Sequence, residues 1–261
     1  MPTIQVGEIG YETLSIFESQ GITHGFFMRH GGVSPEPWLS LNTATTVGDS
    51  RENVIENRQR IFSTLRRKVE SLYDVWQMHS NKVICTDQAR SLDAMPVKAD
   101  SIVTNRREIT LFMRFADCVP IMLYDPVQRV VGMAHAGWKG TVNKIGRDTV
   151  TAMHEKYGSR PQDILAGIGP SIGPDHYEIG DDVIEQVDRA FGVDAASLLS
   201  NINGHTHFDL WKANSLILEK AGVRKVQIAG ICTACNTQDW YSHRAEHGRA
   251  GRFGAILAMS E

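Results

Sequence analysis

Residues 109–140, ITLFMRFADCVPIMLYDPVQRVVGMAHAGWKG, hold three apolar runs divided by two turns, and their reading decides the fold. Ile109–Phe115, Pro120–Tyr124 and Val130–Ala134 read as strands, and Asp125-Pro126 is a turn signal that joins the last two as a hairpin. Upstream, Asp74–Gln77, Lys82–Thr86 and Ser101–Thr104 are further strand candidates, with two more at Thr13–Phe17 and Gly25–Met28. Downstream, from Thr141, the period turns helical: Val142, Ile145, Thr149, Met153 and Tyr157 share a face, and Gly158 suits the residue after a helix end. Asp163–Ile168, Val226–Ala229 and Phe253–Leu257 read as strands, while Asp181–Phe191 and Leu210–Ala221 read as amphipathic helices. Asp49 with Glu52 predicts a capping box opening a helix to about Arg67, with Val54, Ile55, Ile61, Phe62 and Leu65 as its apolar stripe. Hairpins together with helices, without a strict β-α-β rhythm, predict an α+β fold with a mixed sheet instead of a doubly wound one. No repeat or linker interrupts the chain, so residues 1–261 are expected to form one catalytic domain.

Composition excludes several classes. A net charge of −3 gives no electrostatic case for nucleic acid or an anionic membrane. No run approaches the roughly 18 apolar residues of a membrane span. The opening MPTIQVGEIGYETL has neither the basic nor the apolar region of a signal peptide, so a cytoplasmic location is expected. Four Cys in 261 residues make no disulfide framework, and in a reducing compartment they remain available as ligands or nucleophiles. There is no GxGxxG or GxxxxGK[ST] element. Nothing in the sequence specifies an oligomeric state.

Three residues at strand ends carry the chemistry: His79 in WQMHSNKV, Cys118 in FADCVPIMLYDP and His135 in GMAHAGWKG. Two imidazoles and a thiolate are a complete protein ligand set for a catalytic zinc, with one position left open. Asp117, beside Cys118 at a strand entrance, is a candidate to orient His79 or His135. Backbone N–H groups near Lys139 and Gly140, at a helix start, suit an anion. Each residue also has a plain reading: Cys118 as a small buried hydrophobe, the two His as polar turn residues.

Other patterns compete. His176-Tyr177-Glu178 with Cys232-Thr233-Ala234-Cys235 imitates the zinc deaminase signature, in which one His and two Cys hold zinc and the Glu moves protons. The long gap, the lack of a Pro before Cys232 and the turn context of the HxE count against it. The loop YSHRAEHGRAGR groups His243, Arg244, His247, Arg249 and Arg252, a pattern that suits a phosphate or a solvated loop, and Arg29 is a further candidate anion contact. A Cys-dependent hydrolase would use Cys118 as nucleophile, His135 as base and Asp117 as orienter. A multicopper oxidase needs more imidazoles than one such set, and His205-Thr206-His207 is the chain's one HxH.

The phrases RHGGVS, VGDSRENVIENR, WQMHSNKV, ADSIV, ADCVPIMLYDP, HAGWKG, GIGPSIGPDHYEIG, FDLWKAN, AGICT and YSHR follow one another across nearly the whole chain. In this it resembles the YfiH-type laccase-domain family, also described as bacterial purine nucleoside phosphorylases and polyphenol oxidases. The resemblance implies a mixed β-sandwich flanked by helices in αββα-type layers. It implies a mononuclear Zn2+ on His79, Cys118 and His135, with Cu2+ as the alternative metal. It also implies phosphorolysis of adenosine, inosine and methylthioadenosine with inorganic phosphate as co-substrate, accompanied by adenosine deamination. Phenol oxidation with copper and editing of peptidoglycan precursors are attributed to relatives. Arg29 and Arg244 are then the expected phosphate contacts. Phe115, Ser171 and Met28 stand where relatives usually carry Thr, Cys and Thr.

Overall fold

Phe115 ends a strand in one sheet and Val119 begins a strand in another, so Ala116, Asp117 and Cys118 carry the chain across a sandwich. The structure is a computed structural model that describes residues 2–260. In chain order its strands are β1 (Thr3–Val6), β2 (Ile9–Glu12), β3 (Ile22–Phe27), β4 (Leu72–Tyr73), β5 (Val83–Cys85), β6 (Ser101–Thr104), β7 (Thr110–Phe115), β8 (Val119–Asp125), β9 (Val130–Ala136), β10 (Leu165–Ile168), β11 (Leu199–Ile202), β12 (His205–Phe208), β13 (Lys225–Ile228) and β14 (Phe253–Met259). The helices are α1 (Arg51–Thr64), α2 (Trp138–Val142), α3 (Ile145–Tyr157), α4 (Asp181–Phe191) and α5 (Leu210–Lys220). One sheet runs β1-β2-β3-β14-β7-β4, the other β13-β10-β8-β9-β6-β5, and β11-β12 is a separate hairpin.

The period of two along each central strand builds the layers. On β8, Met122 and Tyr124 face the other sheet, where they meet Leu111, Met113 and Phe115 of β7 and Phe253, Ala255 and Leu257 of β14. Val119, Ile121 and Leu123 face the opposite way, onto Ile145, Val150 and Met153 of α3 and Ile217 and Leu218 of α5. On the far side of the first sheet, Phe27, Phe112 and Ile256 pack against Ile61 and Phe62 of α1. Helix, sheet, sheet and helix stack in that order, which is the expected αββα arrangement. Strands buried on both faces read as unbroken apolar runs, and that is why the middle of the chain announced itself.

Several boundaries differ from expectation. Thr13–Phe17 is no strand: the strand is β2, and Ser15–Phe17 is a single 3-10 turn. Here side chains take the backbone donors that a ladder would use, His24 accepting from Leu14 N–H at 2.9 Å and Gln227 from Ile16 N–H at 2.7 Å. Ser50, not Asp49, caps α1, its side chain accepting from Asn53 N–H. Asp49 is buried and accepts instead from the Ser34, Asn42 and Asn53 side chains. The helix expected from Thr141 is broken at Lys144, whose φ of 64° separates α2 from α3, while Gly158 ends α3 at φ 74° as expected. No strand spans Asp74–Gln77: β4 stops at Tyr73, and beyond it Trp76 makes only an isolated bridge with Lys98 while the Asp74 carboxylate takes up Arg90 and Arg114. Among the described residues no helix is long and apolar enough to cross a membrane.

His24 also makes a titration prediction. Burial holds its imidazole neutral and lowers its pKa from 6.5 to about 4. The unfolded chain protonates this His first, so stability is lost as pH falls from about 6.5 to about 4, in total about 3 kcal/mol. His24→Gln keeps an acceptor for Leu14, and its unfolding free energy should vary less over that interval. Identical acid sensitivity in both proteins, read by denaturant titration at each pH, contradicts the assignment.

Candidate metal centre and cleft

The carboxylate of Asp100, fully buried just before β6, is the hub of the site. It accepts hydrogen bonds from the backbone N–H of Met78 (3.1 Å), His79 (3.0 Å) and Ser80 (2.6 Å), and from the Ser80 hydroxyl (2.7 Å). His135 Nδ1 completes the set at 2.9 Å. Burial pushes the Asp100 carboxyl up, but its bonds to His135 and Ser80 and the His135 charge bring it down to about 2. One anion therefore folds the 78–80 loop around itself and fixes the tautomer of His135. With Nδ1 engaged, Nε2 is the His135 nitrogen left to face Cys118.

The loop holds His79 at φ 60°, in the left-handed region, which turns its ring onto the other two residues. His79 Nε2 lies 3.7 Å from Cys118 Sγ, and the His79 and His135 ring centres are 4.9 Å apart. The antiparallel register of β8 and β9 pairs Val119 with Ala136, so its continuation sets Cys118 opposite Gly137. A Cβ on Gly137 would come within 2.8 Å of the His79 ring and 2.9 Å of Cys118 Sγ; only glycine leaves that approach open. Phe115 backs the His135 ring at 5.5 Å, and Ser171 accepts from Trp211 Nε1 at 2.7 Å.

Asp117 does not orient either imidazole. Its carboxylate accepts from the Thr233 hydroxyl at 2.7 Å and from Arg244 N–H at 2.6 Å, and its own carbonyl accepts from Ile172 N–H. These bonds hold Asp117 at φ 80° and so aim the next residue, Cys118, into the site. The orienting role expected of Asp117 belongs to Asp100. Its only trace in the sequence is that Ala99-Asp100 leads into β6 much as Ala116-Asp117-Cys118 leads into β8, which by itself assigns it no partner.

Burial pushes the Cys118 thiol up, but the charge and hydrogen bond of His135, then of His79, outweigh it and bring it down to about 6. The partner moves the other way: burial lowers His135, and Cys118 and Asp100 raise it to about 9. One ligand atom from each of His79, Cys118 and His135 lies within 4.8 Å of the others. A thiolate stabilised at neutral pH, two imidazoles and a cradle that a Cβ would fill form a possible three-ligand metal site. That donor set suits zinc with an open position.

The three residues open into a cleft of about 1190 Å³. Trp76, Trp138 and Tyr177 give it flat apolar surfaces, and Arg58, Arg90, Arg114, Arg244 and Arg252 give it charge. Arg58, Arg90 and Arg114 all surround buried Asp74, three cations against one anion. Burial, then the charge of Arg114, lowers Arg58 to about 10. Arg29 is elsewhere engaged. Its guanidinium pairs with Glu246 at 3.1 Å, donates to the Leu39 and Thr237 carbonyls and lies over the Tyr241 ring, so it is not a phosphate contact of this cleft. Arg244 does line the cleft, stacked 5.2 Å over Tyr177 and donating to the Glu178 carbonyl. The arginine group of the 58–114 region escaped sequence reading because its members come from α1, a loop and β7. His176, Cys232 and Cys235 also meet in space, but Glu178 pairs with His205 at 2.8 Å instead of joining them.

Asp100→Asn replaces an anion by an amide that can no longer accept all these donors, and zinc affinity should fall about 10–100-fold. Competition against a chromophoric chelator measures this, and unchanged affinity contradicts the hub role of Asp100.

Comparison with known proteins bears on the family and the fold. The family described as "Multi-copper polyphenol oxidoreductase laccase" matches residues 23–260. The purine nucleoside phosphorylase YlmD of Bacillus subtilis is 39% identical over 247 residues, covering 91% of this chain and 88% of its own. A purine nucleoside phosphorylase of Deinococcus radiodurans is 37% identical over 238 residues, covering 91% of this chain and 89% of its own. Among solved structures, YlmD of Geobacillus stearothermophilus superposes with a TM-score of 0.91 at 30% identity over 99% of both chains. The hypothetical protein YfiH of Bacillus licheniformis gives the same TM-score of 0.91 at 30% identity. The chain belongs to the YfiH/YlmD laccase-domain family.

Proposed function

We propose that the protein is a zinc-dependent purine nucleoside phosphorylase that cleaves adenosine, inosine and methylthioadenosine with inorganic phosphate, and that deaminates adenosine in the same cleft. The observation that carries this reading is the convergence of His79, Cys118 and His135 in the wall of a cleft that also holds aromatic faces and an excess of guanidinium charge. The names of the relatives support the reaction class. His79, Cys118 and His135 would hold the ion, which when bound supplies Lewis acidity beside the reacting centre.

The chain's own groups account for the rest of the reaction. In phosphorolysis a phosphate oxygen bonds to C1′ of the ribose as the bond from C1′ to the purine nitrogen breaks. The base leaves with the electron pair and takes up a proton. Trp76, Trp138 and Tyr177 offer faces on which a purine can stack, and Arg244 stands over Tyr177 at the same wall. Burial, then the charge of Arg114, lowers Arg58, and an arriving dianion favours its charged form, so Arg58, which lines the cleft as Arg29 does not, is the phosphate contact in place of Arg29. Losing one charge-assisted contact of about 1.5–3 kcal/mol costs about 10–100-fold. Arg58→Gln should therefore lower kcat/KM for phosphate by about that factor.

The Cys118–His135–Asp100 line gives a second reading its footing, because without a metal it is a thiolate–imidazolium pair with an orienting carboxylate. In that case the protein is a Cys-dependent hydrolase. Incubation of the purified protein with adenosine, with and without phosphate, separates the readings by product. Adenine and ribose 1-phosphate formed only with phosphate, and lost in Cys118→Ala together with zinc, is the expected result. Release of base that needs no phosphate, survives zinc removal and is abolished by alkylation supports the hydrolase. Phenol oxidation requiring added copper, with no nucleoside turnover, overturns both.

A further inference from the structure

A second set of soft donors lies outside the ligand trio. Asp175 and His176 sit in the turn after GIGPSIGP, and Cys232 and Cys235 form a CxxC turn after β13. His176 Nδ1 lies 3.8 Å from Cys232 Sγ, 3.5 Å from Cys235 Sγ and 3.0 Å from Asp175 Oδ2. Cys235 Sγ lies 3.6 Å from Asp175 Oδ2, and the four ligand atoms all fall within 4.8 Å of one another. A zinc with arms of about 2.3 Å to sulfur and about 2.0 Å to nitrogen or oxygen has tetrahedral ligand-to-ligand edges of roughly 3.3–3.8 Å. The contacts to the two sulfurs fall within or near that range, as they would around one ion.

We propose that Asp175, His176, Cys232 and Cys235 bind a second zinc ion that is structural and staples the 173–178 turn to the 232–236 turn. Four protein ligands close a tetrahedral shell, so no position remains for water or substrate. Glu178, the acid that a deaminase would need here, is paired with His205. Binding displaces the thiol protons of Cys232 and Cys235 to solvent, so occupancy rises with pH.

The location gives the ion a task. Tyr177, next to His176, lines the cleft, and Arg244 donates to the carbonyls of His176 and Glu178. Thr233, next to Cys232, donates to the Asp117 carboxylate, which aims Cys118. Ser171 and Cys232 form an isolated β-bridge, and Gly173 N–H reaches Cys232 Sγ at 3.2 Å. The staple therefore fixes one wall of the cleft. Like the aim of Cys118, it is independent of which substrate enters.

The test is zinc content of the full chain, purified under reducing conditions without added metal and read by elemental mass spectrometry. Two zinc per wild-type chain are expected, falling to one in the Cys232→Ser/Cys235→Ser double variant and to one in Cys118→Ala. A cobalt-loaded Cys118→Ala chain guards against a double variant that fails to fold. It should show the near-ultraviolet thiolate-to-cobalt band, and adding Cys232→Ser should weaken it, since one of the two thiolates is lost. A wild-type content of one that the double variant retains overturns the proposal. So does a cobalt-loaded Cys118→Ala chain without the band, or a Cys232–Cys235 disulfide in the freshly purified protein.

Discussion

The buried carboxylate of Asp100 is the interaction on which the site depends. A fully buried anion is tolerable only if its lone pairs are filled, and here they are filled by the 78–80 backbone, the Ser80 hydroxyl and the His135 ring. The same bonds that make the charge bearable also shape the site. They bend a loop so that His79 adopts a positive φ, and they commit one nitrogen of His135 so that the other faces Cys118. The raised His135 and the lowered Cys118 thiol follow from that arrangement, since each stabilises the charged form of the other.

The sandwich supplies the frame. Cys118 lies on the link between β7 of one sheet and β8 of the other, and His79 lies on the link between β4 and β5, which likewise change sheets. His135 stands one residue from the end of β9. All three come together at one end of the sandwich. There the two sheets stop covering each other, and a cleft walled by α1, the 74–81 loop and the 241–252 loop can open. Gly137 and Asp117 are the fine adjustments, one by having no side chain to intrude, the other by holding a strained φ with its own carboxylate.

Much of this was legible in the sequence, and the physics of each element explains what was not. Strands β6 to β9, buried on both faces, declared themselves as unbroken apolar runs, and the amphipathic helices α4 and α5 by their period. The trio of His79, Cys118 and His135, whose ligand atoms converge, showed itself through residue type and position at strand ends. Local reading failed where tertiary contacts override local signals. Leu14 and Ile16 give their N–H groups to His24 and Gln227, so an apolar run became a turn instead of a strand. Asp49 and Asp117 were read by their neighbours in sequence, but each is spent on partners far along the chain. Arg29 is likewise consumed by Glu246 and the Thr237 carbonyl, whereas Arg58 and Arg114, unremarkable in their own segments, meet only through Asp74. The hub role of Asp100 is not legible in its own segment, because nothing local shows that five donors will converge on it.

Anomalous diffraction at the zinc absorption edge tests the account most directly. It predicts a peak about 2.3 Å from Cys118 Sγ and about 2.0 Å from one nitrogen each of His79 and His135, with Asp100 still bonded to His135 Nδ1. Zinc bound to the purified protein but absent from that point, or a His135 ring turned to offer Nδ1 with Asp100 released, would contradict it.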